Sequence, residues 1–82
     1  MTGQLIANLV GHTDAVRSLI LLNDLTLASG SYDNSIKFWN LSTGMNTLTL
    51  RNHRAFVISL IRLRNGYLVS GSTDKTIKMW YF

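Results

Sequence analysis

Short runs in which apolar and polar residues alternate, separated by clusters of Gly, Asn, Asp, Ser and Thr, fill the chain, and no stretch carries the spacing of an amphipathic helix. That pattern predicts β-strands joined by tight turns. The first run is Gln4–Leu9, with Leu5, Ala7 and Leu9 on one face, and Gly11-His12-Thr13-Asp14 breaks it. Val16–Leu22 follows, apolar on nearly both faces, which predicts burial on two sides between packed sheets. Asn23-Asp24 turns the chain into Thr26–Ser31, a run of small residues. Tyr32-Asp33-Asn34 turns it again into Ser35–Leu41, where Ile36 and Phe38 alternate with Lys37 and Trp39, and Ser42-Thr43-Gly44 closes the unit. The same four runs then recur as Thr47–Leu50, Val57–Leu63, Tyr67–Ser72 and Thr76–Tyr81. Their turns fall at Arg51–Arg54, Arg64–Gly66 and Thr73–Lys75, with Gly66 supplying an easy positive φ.

The recurrence extends to residue identity. Shifted by 41 positions, 17 of the 41 superimposed pairs are identical with no gap, against roughly two or three for unrelated sequences of average composition. His12 falls on His53, Ser29-Gly30-Ser31 on Ser70-Gly71-Ser72, Asp33 on Asp74, Ile36-Lys37 on Ile77-Lys78 and Trp39 on Trp80. A period of this length is one supersecondary unit used twice, and such units bury their cores against neighbours. Four antiparallel strands per period is the unit of a β-propeller blade. The expected architecture is all-β: two four-stranded antiparallel blades over residues 1–82, with a repeat phase of 1–41 and 42–82.

Both copies resemble the WD40-repeat family. The first carries the resemblance in Gly11-His12, in Leu27-Ala28-Ser29-Gly30-Ser31-Tyr32-Asp33 and in Ile36-Lys37-Phe38-Trp39. The second carries it in His53, in Leu68-Val69-Ser70-Gly71-Ser72-Thr73-Asp74 and in Ile77-Lys78-Met79-Trp80. Two positions depart from the family pattern. The Trp-Asp dipeptide reads Trp39-Asn40 and Trp80-Tyr81, and Gly11 is replaced by Asn52. Asparagine tolerates a left-handed backbone, so the turn at Asn52 is expected to survive. The resemblance implies one structural tetrad per blade: His12, Ser29, Asp33 and Trp39, then His53, Ser70, Asp74 and Trp80. Tryptophan would donate to serine, serine to histidine and histidine to aspartate, so that every buried polar group has a partner. Ser31 and Ser72 are the alternatives for the serine position, because the sequence leaves strand register open. The resemblance also places Asp14, Tyr32, Arg54, Phe56 and Thr73 near a rim where proteins or peptides bind.

Composition narrows the function. Apolar residues are 46% of the chain and charged residues 15%, too hydrophobic for disorder. The chain has no cysteine, which removes disulfides and thiolate metal sites. The longest apolar run, Leu19–Leu22, is too short to span a bilayer, and Met1–Gln4 resembles no secretory signal. An intracellular protein, cytoplasmic or nuclear, is expected. The net charge of +4 lies unevenly: residues 1–41 carry 2 − 3 = −1, and residues 42–82 carry 6 − 1 = +5.

Ser, His and Asp in one repeat invite a hydrolase, but no nucleophile elbow is present, and the same set recurs in register as a structural lock would. Two histidines without cysteine fall short of a zinc site, and no strand-loop-helix context supports phosphate binding. Neither catalysis, a metal nor a cofactor is expected. The expected function is a protein-interaction scaffold that binds proteins or peptides. Binding of nucleic acid or another anionic surface through the basic second repeat is the alternative, and a membrane is not expected as a partner. Two blades are also too few for a closed propeller. Outer faces bearing residues such as Val16, Ile20, Leu22, Ile36 and Phe38 would then face water, unless further blades in the same chain or further copies of it cover them.

Overall fold

A computed structural model of the chain describes residues 3–82. Strands β1 (Val16–Asn23), β2 (Thr26–Ser31), β3 (Ile36–Asn40) and β4 (Met45–Leu50) form one antiparallel meander, and β5 (Val57–Arg62), β6 (Leu68–Ser72) and β7 (Ile77–Trp80) form a second. No helix occurs among the described residues. The two sheets share one register: Leu27 lies opposite Trp39 and Ala28 opposite Phe38, as Leu68 lies opposite Trp80 and Val69 opposite Met79. The ladder slips between Val16 and Ser18 and again between Val57 and Ser59. Arg17 and Ile58 are thus extra residues at the same point of each copy, where a bulge increases the local twist.

The second blade has three strands, not four, and Gln4–Leu9 forms no strand. The physical reason is pairing. A strand exists only where its N–H and C=O groups meet a ladder partner, and none reaches Gln4–Leu9. Met45–Leu50 does find a partner, in β3 of the first copy, so the first sheet crosses the repeat boundary after Leu41.

The core lies between the sheets. Leu22, Ala28, Ile36 and Phe38 from the first pack against Val57, Leu60 and Leu68 from the second, with Ile20, Leu50 and Trp80 at its margin. This corrects the expected exposure of Ile20, Leu22, Ile36 and Phe38: of the five residues expected on open faces, only Val16 is exposed. It also corrects the two-sided burial expected for β1. Leu22 is buried there, but Val16, Leu19 and Leu21 are 51%, 60% and 52% exposed, because no third sheet covers that face. The strand buried on both faces is β3, where Ile36, Lys37, Phe38 and Trp39 are all below 7% exposure.

Gly30 sets how closely the sheets approach. A Cβ there would stand 2.7 Å from Val57 Cγ1, a distance no packed carbon pair tolerates. Across the same contact, Leu60 N–H donates to the Ser18 hydroxyl at 3.2 Å.

Candidate functional site

The β2–β3 register sets Ser29 opposite Lys37, diagonal to Trp39, and the tight turn at Tyr32–Asn34 returns Asp33 toward the segment before β1. Trp39 Nε1 donates to Ser29 Oγ at 2.8 Å, Ser29 Oγ lies 2.6 Å from His12 Nε2, and His12 Nδ1 lies 2.8 Å from Asp33 Oδ2. The second copy has the same chain of contacts: Trp80 Nε1 to Ser70 Oγ at 2.8 Å, Ser70 to His53 Nε2 at 2.6 Å, and His53 Nδ1 to Asp74 Oδ2 at 2.9 Å. Carboxylates only accept, so each imidazole donates from Nδ1 and accepts the serine proton at Nε2. The structure therefore brings all eight residues together in two sets of four.

Ser31 and Ser72 do a different job. Each hydroxyl donates to the backbone of the segment before the blade, Ala15 O at 2.9 Å and Ala55 O at 3.3 Å, and accepts from the Asp33 or Asp74 N–H at 3.0 Å. Both aspartates accept several bonds. At Asp33, burial by itself would raise the pKa, but the Ser35 hydroxyl, His12 and the Thr13 and Ser35 N–H groups hold the carboxyl far below its ordinary range. At Asp74 the Thr76 hydroxyl and the Arg54 N–H do most of the same, with His53 and the Thr76 N–H adding to them. The hydroxyls at Ser35 and Thr76 were not singled out in the sequence. Their signal is present as a hydroxyl two residues after each turn aspartate.

The Gly11-to-Asn52 change acts through space and not through backbone handedness. Neither residue has a positive φ; among the described residues that belongs to Asn34, Lys75, Gly3, Gly44 and Gly66. A Cβ at Gly11 would lie 3.1 Å from Trp39 Cη2, so glycine lets this segment lie flat on the indole. Trp39 is buried and Trp80 is half-buried.

Family comparison follows the same two units. The model described as "WD domain, G-beta repeat" (WD40) matches residues 3–40 and 44–81. The chain belongs to the WD40-repeat family. This WD40 pair is 51% identical over 39 residues to the WD repeat-containing protein pop2 of Schizosaccharomyces pombe, a match covering 48% of the chain and 5% of that protein. It is 51% identical over 43 residues to human Striatin, covering 51% of the chain and 6% of Striatin. The chain thus spans a small fraction of the curated relatives it matches. Two crystal structures of computationally designed proteins superimpose on 99% of the chain, each with a TM-score of 0.84 and 34% identity: Ika4, of which 49% is covered, and Ika8, of which 25% is covered.

Asp14, Tyr32, Arg54, Phe56 and Thr73 lie at one end of the WD40 sheets, the end that bears the β2–β3 and β6–β7 turns. The structure brings two of them into contact. Tyr32 and Phe56 stack across the two blades with ring centroids 4.1 Å apart and planes 12° apart. Phe56 remains 43% exposed, and Asp14, Arg54 and Thr73 are exposed around it. The Arg54 side chain lines a polar hollow with Asn52, Asp74, Thr76 and Lys78. Among the described residues no three His, Cys, Asp or Glu side chains converge as metal ligands would.

Proposed function

We propose that this WD40 pair is a non-enzymatic interaction module that binds a protein or peptide on the turn-bearing end, with Phe56, Tyr32 and Arg54 as the energetic centre. The observation that carries the reading is the stacked Tyr32–Phe56 pair, half in water and straddling both blades. Exposed aromatic rings held rigid by stacking, beside an arginine, are the usual make-up of a binding centre.

The serine–histidine–aspartate contacts match a hydrolase triad in connectivity, yet two features argue for a lock. Ser29 is 2% and Ser70 0% exposed, so neither presents a nucleophile to a substrate. Each hydroxyl oxygen is also occupied by an indole N–H, where a triad needs an oxyanion hole beside a free nucleophile. Nucleic-acid binding through the second repeat gains no support from the family match or from these relatives' names.

The test is selection of peptides from a random displayed library on the immobilised chain. Selected peptides should lose about tenfold or more of their affinity on Phe56→Ala or Arg54→Ala and keep it on Arg62→Ala. Indifference to Phe56 and Arg54, combined with loss on Arg62→Ala, moves the site off this end. Tight binding of a single-stranded oligonucleotide that weakens steeply with salt supports the anionic alternative instead.

A further inference from the structure

Two faces of the molecule are without a neighbour, and they sit on opposite sides. Val16 and Leu19 are exposed on the first sheet at 51% and 60%, and Ile61, Ile77 and Met79 on the second at 52%, 80% and 62%. Shifted by 41 residues, these positions are the two halves of the internal contact. Val57 and Leu60, the equivalents of Val16 and Leu19, share one buried cluster with Ile36 and Phe38, the equivalents of Ile77 and Met79. The open faces therefore fit each other as the two blades already do.

We propose that copies of this chain dock head to tail into a closed ring, the first sheet of each copy packing on the second sheet of the one before. The Gln4–Leu9 segment of one copy then adds to β7 of another as its fourth strand. The proposal goes beyond binding at the turn-bearing end and does not depend on it.

Three details of the internal contact support a second copy as the occupant. The first is strand pairing. Ile36, Lys37 and Phe38 pair with Leu50, Thr49 and Leu48; the same shift sets Ile77, Lys78 and Met79 opposite Leu9, Asn8 and Ala7. Lys37 Nζ donates to Thr49 Oγ1 at 3.0 Å, and the Asn8 side-chain carbonyl is an equivalent acceptor for Lys78. Among the described residues the outer edge of β7 is unpaired, and an unpaired edge is a template for an added strand. Next comes the hydroxyl on the contact face. Ser18 accepts from Leu60 N–H, and its counterpart Ser59 is exposed, free to accept from Leu19 N–H of the incoming copy.

The last detail is glycine. Gly30 makes room for Val57, whereas a Cβ at its counterpart Gly71 would meet only Ser59 Cβ, at 3.9 Å. The gap awaits Val16 of another copy. A head-to-tail contact closes when its rotation divides the circle, and propellers close at about 4–8 blades, hence about two to four such copies.

Sedimentation equilibrium of the 82-residue chain tests this. The expected result is one discrete particle of about two to four chain masses. Gly71→Ala is the discriminating variant, because the added carbon has open space in a single chain and meets Val16 only when copies dock. It should leave the circular dichroism spectrum unchanged while shifting the particle toward single chains, by about tenfold or more in the concentration of half-dissociation. Adding Val16→Ala to that variant should restore assembly. A parent chain that stays single at every concentration overturns the proposal, as does a particle indifferent to Gly71→Ala. A continuous ladder of sizes overturns the ring.

Discussion

Lys75 holds φ at 73°, where its repeat counterpart Asn34 holds 74°. Both are the fourth residue of a turn that they close by donating an N–H to the carbonyl of Ser72 or Ser31 at 3.2 Å. Asparagine tolerates this left-handed backbone better than lysine does. Lys75→Asn should therefore raise stability by several tenths of a kcal/mol, read as a higher midpoint in urea. The tetrad residues set larger effects. His12→Ala leaves the Ser29 hydroxyl and the Asp33 carboxylate each short of a partner, at a cost of about 1–3 kcal/mol. Denaturant melts that overlay the parent would sink the lock. Acid acts through the same carboxylates. Because Asp33 and Asp74 sit below their ordinary pKa when folded, the unfolded chain takes up protons first as pH falls. Their stabilisation is complete above the ordinary carboxylate value near 4 and is lost progressively below it. A pH series of melts should show that loss, and Asp33→Asn should start less stable and lose less across the same range.

At the scale of the element, the closeness of the two sheets rests on Gly30 and Ser18. Gly30→Ala forces a carbon to within 2.7 Å of Val57 Cγ1 and should cost about 1–3 kcal/mol, while Gly71→Ala in a single chain costs little. A thermal melt of both variants under dissociating conditions checks the contrast, and equal losses would remove the steric account. All seven strands of the structure were legible as runs between turn signals, to within a residue or two at their ends. The eighth expected run, Gln4–Leu9, forms no strand, although its alternation is as good as that of Met45–Leu50. What separates the two is a partner strand, and local pattern carries no record of that. The reversal of burial between β1 and β3 has a similar origin. Val16–Leu22 is the more apolar, but β3 is flanked by β2 and β4, faces the second sheet and is overlaid by the Gly11 segment.

At the scale of the whole molecule the described residues form one core, to which the first sheet contributes Leu22, Ala28, Ile36 and Phe38 and the second Val57, Leu60 and Leu68. Neither half is a core alone, so both should unfold together. Phe38 joins the sheets, 4% exposed and edge-on to Phe82 at 5.3 Å. Phe38→Ala should cost about 3–5 kcal/mol and still give a single transition whether Trp fluorescence or far-ultraviolet dichroism is followed. Two separated transitions would mean that the blades are independent units. The turn-bearing end depends on the same contact, because the Tyr32–Phe56 stack exists only while the blades are together. For that reason Tyr32→Ala and Phe56→Ala each test packing as well as binding, and Arg54→Ala, at an exposed residue outside the stack, is the cleaner probe of a partner.

The residues themselves determined the repeat, the all-β class and the family, because a 41-residue period with His, Ser, Asp and Trp at matched offsets recurs only when one packing unit is used twice. They also held the candidate rim residues, though as separate positions with no indication that Tyr32 and Phe56 meet. Tertiary structure alone decided which apolar faces were covered. A strand written as Ile36-Lys37-Phe38-Trp39 and one written as Ile77-Lys78-Met79-Trp80 have nearly the same pattern, yet Ile36 is 1% and Ile77 80% exposed. Burial is a property of what lies opposite, and in a repeat protein identical patterns acquire different surroundings from their neighbours.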